Sequence, residues 1–251
     1  MDENADWSAA RTGLCVALDT PDVATAHKIV AELGDEVVNY KIGSSLELDA
    51  NLVDLIRILP AFHKRVFFDH KLKDVPSVVE RAVRRRADLG ISWTTVHHNE
   101  QIVEAALRGA QGSNLTVLAV TLLTSMTDDD LYRDYQLLVG GRSIDDLSSR
   151  FVTQRIEYLY HAVGCRGFVV SPWEVAEARR LAPEAILVVP GVRRLVDRPH
   201  EHERFGTPEQ TINSGADLIV VGRPIINHNE RVAVARDYVE AIRNGLFRTV
   251  A

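Results

Sequence analysis

The chain has little cysteine, no long apolar run and no excess of positive charge, and each shortage narrows what it can be. Only two cysteines occur in 251 residues. Cys15 and Cys165 form neither a metal-binding spacing nor a disulfide framework, so reduced thiols are the expectation. No stretch approaches the roughly 20 apolar residues that a membrane helix needs, and the opening MDENADWSAARTG lacks the basic-then-apolar plan of a secretory leader. A cytoplasmic protein without a membrane partner is therefore expected. The formal net charge of −6 argues against nucleic acid as a partner, although a local basic cluster can still hold a small phosphate. Apolar residues at 46% and charged residues at 25% exclude disorder and fibrous repeats.

Short runs rich in Val, Ile and Leu recur at 13–18, 37–42, 65–68, 93–96, 115–120, 167–170, 186–189 and 218–221. Most are separated by stretches of helical periodicity, among them VATAHKIVAEL, SVVERAVRRRADL, EQIVEAALRGA, EVAEARRLA and ERVAVARDYVEAIRNGL. Strands too apolar to alternate, each followed by an amphipathic helix, indicate a parallel sheet covered by helices. Eight such units predict a single (β/α)₈ TIM barrel over residues 1–251, with 1–12 as an N-terminal extension. Periodicity alone leaves an open doubly wound sheet as the alternative. Two connections exceed an ordinary barrel loop: residues 122 to about 150, and residues 191–207, which make the better candidate for a lid.

Barrel chemistry lies at the carboxyl ends of the strands, and there the sequence is unusually polar. Asp19 follows the first run, Lys41 ends the second, Asp69 and Lys71 follow the third, and His97 follows the fourth. Thr121, Ser171, Gly191 with Arg193, and Gly222 with Arg223 follow the remaining four. Asp69 and Lys71 are two apart, so in an extended segment they leave on one side. With Asp19 and Lys41 they can alternate acid, base, acid, base, each charge holding its neighbour ionised. One such pair is more often structural than catalytic. Four or five on adjacent strand ends favour function. Lys73 is expected to be a solvated surface lysine. Gly-x-Arg after the seventh strand and Gly-Arg after the eighth stand where barrels commonly bind phosphate, glycine admitting backbone N–H groups and arginine a forked donor pair.

These pieces carry a family pattern. LDTPD, YKIG, FFDHKLKDVP with its D-x-K-x-x-D spacing, TVH, VTLLTSM, VVSPWE, VPGVR and GADLIVVGRPI occur in order. The chain resembles the orotidine 5′-phosphate decarboxylases across nearly its full length. The D-x-K-x-x-D element alone defines only a wider superfamily; VPGVR and GRPI in register narrow it. The resemblance implies cofactor-free, metal-free decarboxylation of a nucleotide monophosphate, orotidine 5′-phosphate, to UMP. It makes Lys71 the acid that protonates C6, sets Asp69 beside the departing carboxylate, and completes the array with Lys41 and Asp74. Asp19 and Lys41 would contact the ribose, and Arg223, with the backbone around Gly191, Arg193 and Gly222, the phosphate. The resemblance also implies a homodimer in which Asp74 enters the partner's site.

Several positions depart from that pattern. VHHNEQ replaces small residues after the fourth strand, Val78 stands where a threonine is expected, and Glu201, His202, Glu203 and Arg204 precede Thr207. His202 occupies the place of a glutamine bridging phosphate and base. Ser125 is the first choice for reading the pyrimidine edge, followed by Thr124 and Thr127. Three other readings stand beside the decarboxylase: a divergent paralogue accepting another nucleotide, a magnesium-dependent sugar-phosphate lyase or synthase, and a non-catalytic nucleotide binder. His63, His70, His98, His161, His200 and His228 show no metal spacing, and the three tryptophans read as packing residues.

Overall fold

The structure, a computed structural model, describes residues 3–122, 129, 131, 147–197 and 205–247. The eight apolar runs become eight parallel strands: β1 (Leu14–Ala17), β2 (Asn39–Gly43), β3 (Arg65–Leu72), β4 (Trp93–His97), β5 (Thr116–Val120), β6 (Gly167–Val169), β7 (Ile186–Pro190) and β8 (Leu218–Val221). Each pairs with the next, and β1 also pairs with β8, so the ring is closed and the open-sheet alternative falls.

The helices among the described residues are α1 (Glu3–Thr12), α2 (Val23–Leu33), α3 (Leu52–Ala61), α4 (Pro76–Asp88), α5 (Glu100–Ala110), α6 (Leu147–Tyr158), α7 (Val175–Leu181), α8 (Pro208–Asn213), α9 (Arg223–Ile226) and α10 (Arg231–Phe247). Local chemistry sets several starts. Asp22 caps α2 by accepting a hydrogen bond from Thr25 N at 2.6 Å, Asn99 caps α5 through Gln101 N at 3.1 Å, and Pro76 opens α4 where its missing N–H costs nothing. The segment expected as an N-terminal extension is mostly α1, and it belongs to the body of the barrel: Ala10 is in the core, and the Trp7 ring lies 4.8 Å from the Arg243 guanidinium of α10. Helix α3 lies outside the stretches named above for helical periodicity, and its sequence LVDLIRILPA contains Pro60. It sits in the last turn, and Leu52, Leu55, Ile56 and Leu59 still form one buried face.

Period-two alternation divides each strand between two hydrophobic layers. Leu14, Val16, Tyr40, Ile42 and Val66 face the helices, whereas Cys15, Ala17, Phe67, Trp93, Val188 and Val220 fill the barrel interior. The amino-terminal end of the interior is sealed. Arg65 Nε donates to Asn39 Oδ1 at 2.8 Å, the guanidinium lies 4.7 Å from the centre of the Trp93 ring, and Asn39 Nδ2 donates to the carbonyls of Thr12 and Leu14. An opening is left at the other end.

Strand β3 is longer than its apolar run. It continues through Leu72, so Asp69 and Lys71 lie inside the strand rather than after it. The pairing with β4 slips between Phe68 and Leu72, and Lys71 takes a φ of 45°. The extended geometry expected for this pair is thus corrected to a local left-handed kink.

Candidate active site

The inward face of each strand, followed two residues at a time toward the carboxyl end, arrives at the polar residues of the mouth. Cys15 and Ala17 lead to Asp19; Asn39 leads to Lys41 and Gly43; Arg65 and Phe67 lead to Asp69; Trp93 leads to Thr95. The pleat alone therefore gathers these side chains on one rim. Lys41 Nζ donates to Asp19 Oδ1 at 3.0 Å and lies 3.6 Å from Asp69 Oδ2. Lys71 Nζ donates to both oxygens of Asp69, at 3.0 and 3.1 Å. Asp19, Lys41, Asp69 and Lys71 thus form one continuous alternating chain of charge.

The two inner members are only 13% exposed, while Lys71 is 44% exposed and faces the opening. Burial works against the charge on Lys41, but Asp19 and Asp69 outweigh it and hold the ammonium above the ordinary lysine range. Burial likewise opposes ionisation of Asp69. Lys41, Lys71 and a hydrogen bond from Thr95 overcome it and keep the carboxyl below its usual value. The inner pair is therefore fully ionised at neutral pH.

Thr95 was missed by reading only the residue that follows each strand. Its hydroxyl donates to Asp69 Oδ1 at 2.9 Å and accepts from Lys71 N at 2.8 Å, and the residue is 1% exposed. The signal was present: Thr95 stands two places after Trp93 on the inward face of an otherwise apolar strand. Gly43 was also overlooked. A Cβ there would lie 3.2 Å from both Asp19 Oδ1 and Lys41 Nζ, so the close approach of the strand to this pair calls for glycine.

On the opposite side of the opening, Gly191, Arg193, Gly222 and Arg223 line the same cavity of about 290 Å³, whose floor includes Val120, Val169, Val188 and Val220. That volume is near the lower end for small-ligand clefts. Gly191 has a φ of 76°, the left-handed conformation that favours glycine. Arg193 is almost wholly buried, and its Nε has no hydrogen-bond partner among the described residues. A buried guanidinium left short of acceptors is suited to an anion. The two ends of the 191–207 connection are tied together: Val192 bridges to Gly206, Arg193 N donates to Gly206 O at 2.9 Å, and Trp173 Nε1 donates to Phe205 O at 3.3 Å. Trp173 is 67% exposed, which corrects its reading as a packing residue; Trp93 is buried in the barrel interior.

Asp74 does not join the array of its own chain. It is exposed, its Oδ1 accepts from Val75 N at 2.6 Å, and among the described residues it forms no ion pair. Lys73 is exposed, as expected. His97 is half-buried beside the mouth, and its Nδ1 accepts from Asn99 N at 3.3 Å. Thr124, Ser125 and Thr127, and Glu201, His202, Glu203 and Arg204, lie outside the described residues. No group of three or more potential metal ligands occurs among the described residues, and no helix there is long and apolar enough to cross a membrane.

Fold and site together define a (β/α)₈ barrel whose mouth opposes a half-buried chain of alternating charges to an anion-receiving edge. The model of the orotidine 5′-phosphate decarboxylase / HUMPS family matches residues 12–238. The protein named orotidine 5′-phosphate decarboxylase in Bradyrhizobium sp. strain BTAi1 is 39% identical over 95% of this chain and 94% of its own length. That of Rhodopseudomonas palustris strain BisA53 is 39% identical over 93% and 95%. The crystal structure of orotidine 5′-phosphate decarboxylase from Lactobacillus acidophilus superposes with a TM-score of 0.76 at 30% identity, covering 92% of this chain and 99% of that one. The chain belongs to the orotidine 5′-phosphate decarboxylase / HUMPS family.

Proposed function

We propose that the protein converts orotidine 5′-phosphate to UMP without a cofactor, Lys71 supplying the proton. The observation that carries this reading is the array itself, in which the outermost ammonium is held at 3.0 Å by a buried carboxylate and still faces the cavity. The C6–carboxylate bond breaks, carbon dioxide leaves, and the electron pair stays on C6 in an orbital that the ring cannot delocalise well. A fixed positive charge beside C6 stabilises that pair, and Lys71 then delivers a proton to it. Asp69, next to the departing carboxylate, favours its loss and returns Lys71 to register. Lys41 keeps Asp69 ionised.

At the other edge Arg223 and Arg193, with backbone N–H groups around Gly191 and Gly222, hold the 5′-phosphate, while Asp19 and Lys41 meet the ribose hydroxyls. Binding energy gathered remotely at the phosphate supports the reacting end. Asp74, exposed and without an ion pair among the described residues, is available to the mouth of a second subunit. A homodimer with shared sites accounts for that position. The magnesium-dependent lyase reading would make Asp69 a metal ligand. Here its two oxygens already accept from Lys71 and Thr95, an arrangement for holding an ammonium.

The test is the loss of absorbance when purified protein meets orotidine 5′-phosphate with a chelator present. Turnover is expected, and none at millimolar substrate would reject the reaction. Lys71→Ala is expected to abolish turnover and to leave UMP binding largely intact; wild-type rates in that variant would contradict the proton-donor role.

A further inference from the structure

A compact knot of charge lies just outside the cavity, at the root of the 191–207 connection, and none of its members lines that cavity. Arg194 Nη2 and Nε donate to Asp197 Oδ1 and Oδ2 at 3.0 and 3.3 Å, and Nη1 pairs with Asp237. Tyr238, fully buried on α10, donates its hydroxyl to Asp197 Oδ2 at 2.5 Å. Arg194 N donates to the same oxygen at 3.1 Å, and Asp197 N donates back to Arg194 O at 3.0 Å, closing a turn. Residues 194–197 are thereby fixed to the last helix through both backbone and side chain.

Arg194 and Asp197 are only 16% and 12% exposed, and an ion pair this enclosed adds little net stability compared with apolar packing of the same volume, which points to placement. What they place is the preceding residue. Arg193 is clamped on one side by its N–H to Gly206 O and on the other by the immobilised Arg194; the residue lines the cavity, and its buried Nε is unpartnered among the described residues.

We propose that Tyr238, Asp197 and Arg194 form a positioning unit that aims Arg193 at the 5′-phosphate of the bound nucleotide, setting phosphate affinity without touching the ligand. The proposal rests on reading the cavity as a nucleoside monophosphate site. It assigns a binding role to Tyr238, more than 40 positions away in sequence, and separates phosphate recognition from the chemistry at β1–β3.

Tyr238→Phe keeps the ring and its packing and removes only the hydroxyl; Asp197→Asn keeps the shape and removes the charge. For each, UMP binding is measured by calorimetry, and uridine by competition against UMP. The dissociation constant for UMP is expected to rise roughly tenfold, the scale of one lost hydrogen bond to a charged group, while that for uridine stays within about twofold. A merely structural role weakens both in proportion. That outcome, or unchanged UMP binding in both variants, overturns the proposal, as does a wild-type protein that binds UMP no better than uridine. A wild type that prefers UMP but does not decarboxylate orotidine 5′-phosphate sinks only the reaction, and the variant ratios still decide the knot.

Discussion

Replacing Thr95 by valine isolates one hydroxyl at the centre of the array. The two side chains are nearly isosteric and the site is 1% exposed, so the barrel interior should fill as before. Two hydrogen bonds disappear: the donation to Asp69 Oδ1 at 2.9 Å and the acceptance from Lys71 N at 2.8 Å. A hydrogen bond to a charged group contributes about 1.5–3 kcal/mol. The orphaned Lys71 N–H belongs to a residue with a φ of 45°, a conformation that costs a side-chain-bearing residue roughly 1–2 kcal/mol. Freed from Thr95, that kink can relax and carry the ammonium off its line to C6. If 1.5–3 kcal/mol is lost from the transition state alone, kcat falls by about 10-fold to 150-fold. KM changes little, because the phosphate edge is untouched. Asp69 also loses a group that lowers its pKa, so the acidic limb of kcat/KM moves to higher pH. Steady-state decarboxylation across a pH series reads both effects, and Thr95→Ser, which restores the hydroxyl, should return most of the rate. A valine variant with the parental kcat and acidic limb would refute the reasoning.

Three further expectations follow from the same geometry. Gly43→Ala brings a methyl to 3.2 Å from Asp19 Oδ1 and Lys41 Nζ, which should lower kcat/KM about fivefold, the effect of roughly 1 kcal/mol of overpacking, with a near-parental melting temperature. Burial, with smaller contributions from the neighbouring His97, Arg155 and Lys73, depresses the pKa of His98 from 6.5 to about 4. The unfolded chain therefore takes up this proton first, so stability falls as pH drops from about 6.5 toward 4. Allowing for screening, the loss by pH 5 is about 1–2 kcal/mol, and His98→Gln should flatten that part of a melting-temperature profile. Finally, inactive Lys71→Ala and Asp74→Ala proteins, mixed and allowed to exchange subunits, should regain about a quarter of the parental activity, since half the dimers would hold one intact site; no recovery after proven exchange would remove the shared site.

Much of the fold was legible because one physical rule dominates it. Strands buried on both faces read as unbroken apolar runs, and all eight were placed to within about two residues at most ends. The exception, β3, extends four residues past its run because its inward positions become charged at the mouth. Composition cannot distinguish a strand that ends there from one that continues and kinks. The rim residues Asp19, Lys41, Asp69 and Lys71 were identified from strand ends, and the structure brings them together. Thr95 and Gly43 escaped because one was hidden within an apolar run and the other acts by lacking a side chain. The contacts of Tyr238 with Asp197 and Arg194 join residues 41 and 44 apart, a closeness that only the folded barrel creates.

The kink at Lys71 sets chemistry and durability against each other at a single position. A φ of 45° there is tolerated by lysine and preferred by glycine. Selection for robustness alone would favour removing the side chain, and selection for turnover would forbid it. The barrel can hold an unfavourable backbone at its most reactive residue because the remaining strands supply a rigid surround, so stabilising the protein is best sought far from the third strand.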